Sequence, residues 1–175
     1  KRRVVLKLTS YNSKRDFSKT KEPKGEVKNT TEKRFVVQFH QARKDHYDFR
    51  LEHKGVLVSW AVPKGFPKMG ERHLAVKVED HPLDYMNFEG TIPKGEYGAG
   101  KVEIYDLGHY KTTPALSTGL KDGKFKIALV GKKIDGVFAM VKMKDENWLI
   151  IKENIKKWKQ IIILNKKPTK ILLIV

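Results

Sequence analysis

The sequence predicts an all-β protein, a compact β-barrel of about eight antiparallel strands preceded by an arm, on three observations. Short β-rich segments recur from residue 34 onward, separated by turn residues. Several of them alternate polar and apolar side chains with the period of a strand. No long amphipathic helical pattern interrupts them. A sandwich is the alternative closure for the same strands.

Residues 34–40 (RFVVQFH) are rich in β-branched and aromatic side chains and form the first predicted strand. Gln41 to Asp45 make a short connection. Residues 46–52 (HYDFRLE) alternate cleanly, with His46, Asp48, Arg50 and Glu52 facing one way and Tyr47, Phe49 and Leu51 the other. A Lys54-Gly55 turn leads into 56–62 (VLVSWAV). Residues 74–79 place Leu74, Val76 and Val78 opposite Ala75, Lys77, Glu79 and, if the strand continues, His81. Segments 101–105, 125–130, 137–143 and 148–152 complete the set, with Asp122-Gly123 and Asp135-Gly136 marking turns. Trp60, Tyr47 and Phe49 are expected in the core. The chain has no internal repeat.

The 175 residues are one domain's worth, and 39% hydrophobic content is enough to bury a core. The absence of cysteine excludes disulfides, cysteine-ligated zinc, iron–sulfur clusters and thiol catalysis. No segment approaches the ~18 apolar residues of a membrane span. No apolar segment opens the chain either, so the expected location is cytoplasmic, away from membranes. The formal net charge is +17, and it sits at the ends. Residues 1–34 carry 12 basic and 4 acidic side chains, and residues 156–175 carry 6 basic and none acidic. The sequence therefore divides into a basic arm (1–33), a barrel (34–155) and a basic, apolar extension (156–175). The extension holds two apolar runs split by Asn165-Lys166-Lys167-Pro168, readable as edge strands, a dimer contact or a tail. Basic ends around a near-neutral centre suit a polyanion, most simply nucleic acid, because Lys and Arg that neutralise phosphates release condensed counterions.

The chemistry-bearing segment is His40, His46, Asp48 and Arg50. Strand alternation puts the last three on one face, and a short connection returns His40 beside them. Two imidazoles and a carboxylate form a three-ligand set for a divalent cation, with positions left open for substrate and water. The oxygen ligand suits Mn²⁺, and Zn²⁺ or Fe²⁺ are alternatives. The fork of Arg50 fits a phosphate at that cation. The competing interpretation is a polar outer hairpin face with incidental histidines. A second cluster, Glu79-Asp80-His81-Pro82, offers His81 as a phosphate contact or general acid, against a plain strand end stopped by proline. The glycine-rich stretch 93–100 (PKGEYGAG) matches no phosphate-binding loop and is read as a tight barrel corner.

Segments 34–52 (RFVVQFHQARKDHYDFRLE), 59–65 (SWAVPKG), 74–85 (LAVKVEDHPLDY) and 88–100 (FEGTIPKGEYGAG) resemble the 3′-phosphoesterase module of bacterial and archaeal DNA ligase D. Residues 11–25 (YNSKRDFSKTKEPKG) are similar to that family's N-terminal arm. The resemblance implies a compact eight-stranded barrel and Mn²⁺-dependent healing of 3′ ends. A phosphodiesterase step would remove a terminal ribonucleoside and leave a 3′-phosphate, and a phosphomonoesterase step would then give a 3′-OH. It makes His40, His46 and Asp48 the metal ligands, and Arg50 and His81 contacts of the scissile phosphate. It also assigns Arg15, Asp16 and Glu22 of the arm, together with Lys64, Glu79 and Tyr85, to residues needed for activity. One position departs: the family's arginine before Leu-Ala-Val is His73 here, with Arg72 one residue earlier, and a one-residue slip reverses the face. The implied partners are primer-template 3′ ends bearing a ribonucleotide or a 3′-phosphate, and a DNA ligase or polymerase acting in trans. The ligase and polymerase parts are not in this sequence, which reads as a stand-alone enzyme or an excised module and begins with Lys1.

Two other functions compete. A non-catalytic nucleic-acid-binding barrel explains the charge but not two histidines and an aspartate beside an arginine. A non-haem iron oxygenase would use a His-x-Asp pair with a distant histidine, but that histidine usually lies far downstream, whereas His40 lies just upstream.

Overall fold

The structure, a computed structural model, describes residues 8–154. The expectations for 156–175 fall outside those residues. The elements in order are α1 (Thr9–Ser13), β1 (Arg34–Gln41), β2 (His46–His53), β3 (Val56–Val62), β4 (Arg72–Pro82), a 3-10 turn (Leu83–Asn87), β5 (Gly90–Ile92), β6 (Gly100–Thr113), α2 (Leu116–Asp122), β7 (Lys124–Gly131), β8 (Asp135–Lys142) and β9 (Asn147–Lys152). The strands follow one another around the sheet as β1-β2-β3-β4-β9-β8-β7-β6-β5, and β1 also pairs with β6. That extra pairing closes a ring of eight antiparallel strands, and β5 rides on β6 outside it. The predicted barrel is borne out. No helix among the described residues is long and apolar enough to cross a membrane.

The β2–β3 hairpin shows how local chemistry sets the register. His53 pairs with Val56 across Lys54-Gly55, and both turn residues have positive φ, 49° and 86°. Such a two-residue turn matches the twist of the flanking strands. A side chain on Gly55 would collide with the Lys28 carbonyl of the arm, whose backbone amide donates to Gly55 at 3.2 Å. Of the two Asp-Gly pairs, Asp122-Gly123 makes the expected turn before a strand, with Gly123 ending α2 in the left-handed conformation, whereas Asp135-Gly136 already belongs to β8. The β7–β8 connection is instead held by the Asp106 carboxylate, which accepts from the backbone amides of Lys132, Lys133 and Ile134 at 3.1, 2.9 and 2.7 Å.

Two apolar layers share the barrel wall. The interior is filled by alternate residues of the strands, among them Phe49, Trp60, Phe125, Phe138 and Trp148. Trp60 meets Trp148 edge-on with ring centroids 6.0 Å apart. Each such side chain contributes about 1.5–3 kcal/mol on full burial. Tyr47 packs against this cluster from the rim. The second layer lies on the outer face of β1, β3 and β6, where the arm and the 3-10 turn cover it with Tyr11, Tyr85, Met86 and Phe88. Tyr11 is fully buried, and its hydroxyl donates to the Pro23 carbonyl at 2.7 Å.

Two bulges move side chains between the layers. In β6, Val37 faces Asp106 but Gln38 faces Ile104, so Tyr105 is an extra residue. Val102 and Ile104 therefore belong to the outer layer, whereas Tyr110, of the same parity, lies in the interior. In β4, Leu57 faces His81 while Ser59 faces Val78, which leaves an extra residue there as well. The expected uninterrupted alternation over 74–81 is thus corrected. Ala75 points into the interior, and Val78, Glu79 and His81 line one cleft outside it.

Candidate active site

That cleft, about 280 Å³, opens on the outer face of β1, β2 and β4, beneath the arm. His40 pairs with His46 across β1 and β2, and Gln38 with Asp48, so the predicted alternation converges on one spot. One ligand atom each of His40, His46 and Asp48 lies within 4.8 Å of the others. His40 Nδ1 is 3.5 Å from one Asp48 oxygen, and His46 Nε2 is 3.6 Å from the other.

The outer nitrogens decide how these rings are oriented. His40 Nε2 lies 2.9 Å from the Gly98 carbonyl and His46 Nδ1 lies 2.9 Å from the Lys44 carbonyl. A carbonyl can only accept, so each outer nitrogen carries a hydrogen and donates it there, which fixes the orientation of the ring with its other nitrogen toward Asp48. Gly98 makes its contact from φ 78°, a conformation that favours glycine. The 93–100 stretch is a corner, as read, and it also orients a ligand. Burial pushes Asp48 up, but Arg50 and then the two imidazoles override it and hold the carboxyl well below its usual range. The hydrogen bond to Asp48 raises the His46 pKa against the opposing effect of burial. Two imidazoles and an ionised carboxylate are a fitting donor set for a divalent cation.

Arg50 forms the adjoining wall. Its Nε donates to Gln38 Oε1 at 2.8 Å and one terminal nitrogen reaches Asp48 at 3.1 Å. The other terminal nitrogen, Nη1, is buried and has no hydrogen-bond partner. Gln38 is fully buried, and its amide donates to the Tyr85 and Phe88 carbonyls at 3.0 and 2.9 Å. Opposite, Arg15 of the arm donates to Glu22 at 2.9 Å and lies 3.4 Å from Glu79, and its Nη2 is 3.3 Å from His81 Nε2. The Tyr85 hydroxyl also donates to Glu22, at 3.0 Å. His81 gives its Nδ1 hydrogen to the Glu79 carbonyl at 2.9 Å. Burial, then Arg50 and Arg15, hold its pKa well below the ordinary histidine value, so the ring is neutral.

Of the residues singled out in the sequence, His40, His46, Asp48, Arg50, Arg15, Glu79, His81 and Tyr85 line this cleft, with Glu22 bonded directly behind it. Asp16, Lys64 and His73 do not line it. The Asp16 side chain is 45% exposed, accepts from Ser18 and pairs with Lys19 at 3.2 Å. Lys64 lines a different cleft at the barrel mouth. His73 bonds the Gly65 carbonyl at 2.8 Å and approaches Glu71. Gln38, Gly98 and Tyr97 are site residues that sequence reading missed. The Tyr97 hydroxyl stands at the rim, 3.4 Å from the Lys14 ammonium and 3.5 Å from Glu79. For Gln38 a signal existed: a polar residue at the centre of a β-rich run, two residues from His40 and therefore on its face.

A closed barrel with a His–His–Asp cluster beside a buried arginine narrows the class, and comparison with known proteins identifies the family. Residues 38–142 match the DNA Ligase D 3'-phosphoesterase domain, and the chain belongs to that family. It is 49% identical over 155 residues to the multifunctional non-homologous end joining protein LigD of Mycolicibacterium smegmatis, covering 83% of this chain and 20% of that protein. Identity to the multifunctional non-homologous end joining DNA repair protein LigD of Mycobacterium tuberculosis is 49% over 149 residues, covering 83% and 20%. Identity to LigD of Pseudomonas aeruginosa is 44% over 154 residues, covering 83% and 18%. The chain thus spans about a fifth of the length of these relatives.

Proposed function

We propose that this cleft hydrolyses phosphate esters at DNA 3′ ends during end-joining repair, with Mn²⁺ as the physiological cation and Zn²⁺ as an alternative. In the diester step the bond from phosphorus to the 5′ oxygen of a terminal ribonucleoside breaks, leaving a 3′-phosphate. In the monoester step the bond to the 3′ oxygen breaks, giving a 3′-OH and inorganic phosphate. Primer-template 3′ ends are the substrates, and a ligase or polymerase consumes the product. One observation carries the reading: Arg50, whose Nη1 is buried without a partner, lines the same cleft as the His40–His46–Asp48 cluster. A buried N–H without an acceptor is costly, and a phosphoryl oxygen is the acceptor this cleft is built to receive.

His40, His46 and Asp48 would hold the cation, which supplies Lewis-acid stabilisation of the phosphoryl charge and activation of a water. Arg50 orients the phosphate while Gln38 and Asp48 fix its Nε and one terminal nitrogen. Arg15 is engaged by Glu22, Glu79 and His81 and adds positive charge across the cleft. His81 is neutral in the free protein, so it has no proton to spare for a leaving oxygen until a bound phosphate supplies counter-charge. Glu22 and Tyr85 hold Arg15 and the arm in place. Asp16 shapes the arm's turn, and Lys64 and His73 serve substrate from outside the cleft.

The test is Mn²⁺-dependent turnover of two oligonucleotides, one ending in a ribonucleotide and one in a 3′-phosphate. His40→Ala, His46→Ala and Asp48→Ala each lose both activities and calorimetric Mn²⁺ binding. Arg50→Lys retains Mn²⁺ binding but loses at least about tenfold in turnover, since a lysine cannot reproduce the fork. Undiminished turnover in all three ligand variants overturns the reading. Oligonucleotide binding without any release of phosphate by the wild-type protein would favour the non-catalytic barrel.

A further inference from the structure

A second cleft, about 290 Å³, opens at the mouth of the barrel, and of the residues given a part in the proposed chemistry only Lys64 lines it. Lys64, Lys133 and Lys152 line it together with Tyr47 and Tyr105. Its position follows from the β6 bulge, which makes Tyr105 the extra residue and turns its ring toward the mouth. That ring is 36% exposed, and Tyr47 steadies it edge-on at 5.1 Å. The Lys133 ammonium lies 4.4 Å from the ring centroid. Lys152 is half-buried and lies 4.3 Å over Phe138, and its ammonium bonds the Asp135 backbone carbonyl rather than a carboxylate. Burial lowers the Lys152 pKa, and the charge of Asp135, which lines the same cleft, acts in the opposite direction.

The two clefts share a border. His46 faces the first and Tyr47, the next residue, faces the second. The hairpin tip beside both carries exposed Arg43 and Lys44. A strand leaving the His40–His46–Asp48 cleft over this tip passes Arg43 and Lys44, with exposed Asp45 beside them, before the lysines of the barrel mouth.

We propose that the barrel-mouth cleft is a second contact for nucleic acid, taking one unpaired nucleotide, with its base on Tyr105 and its phosphates on Lys133 and Lys152. The proposal rests on the phosphoesterase reading for where the strand end lies. The aromatic ring separates it from a plain anion site, because inorganic phosphate has no use for a stacking face. A base arriving on Tyr105 displaces Lys133 toward its own phosphate.

The experiment measures anisotropy of a labelled single-stranded oligonucleotide on the full chain, with chelator present so that turnover does not intervene. Tyr105→Ala and Lys133→Ala are compared with wild type, with melting curves to confirm folding. Tyr105→Ala weakens binding about tenfold, within the ~1–3 kcal/mol measured for stacked bases. Lys133→Ala lowers the slope of log K against log salt by about one. Both variants keep wild-type turnover of a 3′-phosphorylated dinucleotide too short to reach the second cleft. Equal oligonucleotide affinity in all three proteins overturns the proposal. So does equal competition by inorganic tripolyphosphate against wild type and Tyr105→Ala, which marks a plain anion site. Weakened binding in the variants with no turnover even by wild type supports the second contact and sinks only the phosphoesterase reading.

Discussion

Replacing Gln38 with Met keeps nearly the same volume and removes three buried hydrogen bonds. Gln38 is fully buried, its amide donates to the Tyr85 and Phe88 carbonyls at 3.0 and 2.9 Å, and its oxygen accepts from Arg50 at 2.8 Å. Methionine leaves no large void, and the Tyr85 carbonyl keeps the Phe88 amide at 3.1 Å, so the cost is that of two polar groups without partners, the Phe88 carbonyl and Arg50 Nε. Each costs about 1–3 kcal/mol, and the low end of that range gives a loss of about 2 kcal/mol. For a domain of this size, about 2–4 °C of melting temperature goes with each kcal/mol, so Q38M melts roughly 4–8 °C lower. Arg50 retains its contact with Asp48 but loses the bond that fixes its plane. Turnover of a 3′-phosphate therefore falls about tenfold, equivalent to ~1.4 kcal/mol of transition-state binding. Mn²⁺ affinity stays within about twofold of wild type, because the cation ligands keep their own carbonyl partners. Thermal melts followed by tryptophan fluorescence, calorimetry with Mn²⁺ and phosphate release give the three readouts. Melting within about 2 °C of wild type together with full turnover would refute the idea that Gln38 holds Arg50 in place.

Glu22→Gln removes the buried charge that receives Arg15, Thr20 and Tyr85 at 2.9, 3.0 and 3.0 Å. Breaking such a pair costs about 3–5 kcal/mol, so hydrogen exchange over the arm accelerates and turnover falls; unchanged exchange would contradict the arm's anchoring. His81 is held neutral, its folded pKa lying well below its unfolded value, so the unfolded chain binds more protons as pH falls. Its contribution is intact above the unfolded pKa of about 6.5 and is lost below it, at up to ~1.4 kcal/mol per pH unit. His46 has a raised pKa and works in the opposite direction. Denaturant titrations of His81→Gln against wild type at several pH values isolate the His81 contribution, and an identical pH dependence would contradict it.

Strand alternation made the cation ligands legible, because His46, Asp48 and Arg50 are separated by single residues on a strand with no bulge in its pairing with β3. Elsewhere a bulge defeats the same arithmetic. Alternation read through 74–81 put Glu79 opposite Val78, yet both line the cleft, since an extra residue shifts the face within β4. The strand read as 101–105 runs to Thr113 because its face changes at Tyr105 while its burial parity does not. The short β5 had too few residues to show any period. Asp16 was placed at the site by resemblance, and its short side chain instead closes a local turn onto Ser18. The Gly98 contact was hidden because a backbone carbonyl leaves no mark in the identity of the side chain.

The His–His–Asp cluster comes from one hairpin, His40 through Asp48, whose strands pair directly with each other. The arginine and histidine opposite arrive from Arg15 and His81, distant along the chain. Barrel closure likewise waits on β1 with β6 and β4 with β9, neither of them a hairpin. Loop-closure entropy delays such distant pairings. A nascent chain caught before closure already presents the His–His–Asp cluster and Arg50 but still lacks Arg15 and His81 across from them, so the complete cleft comes last in folding and cannot precede a finished barrel.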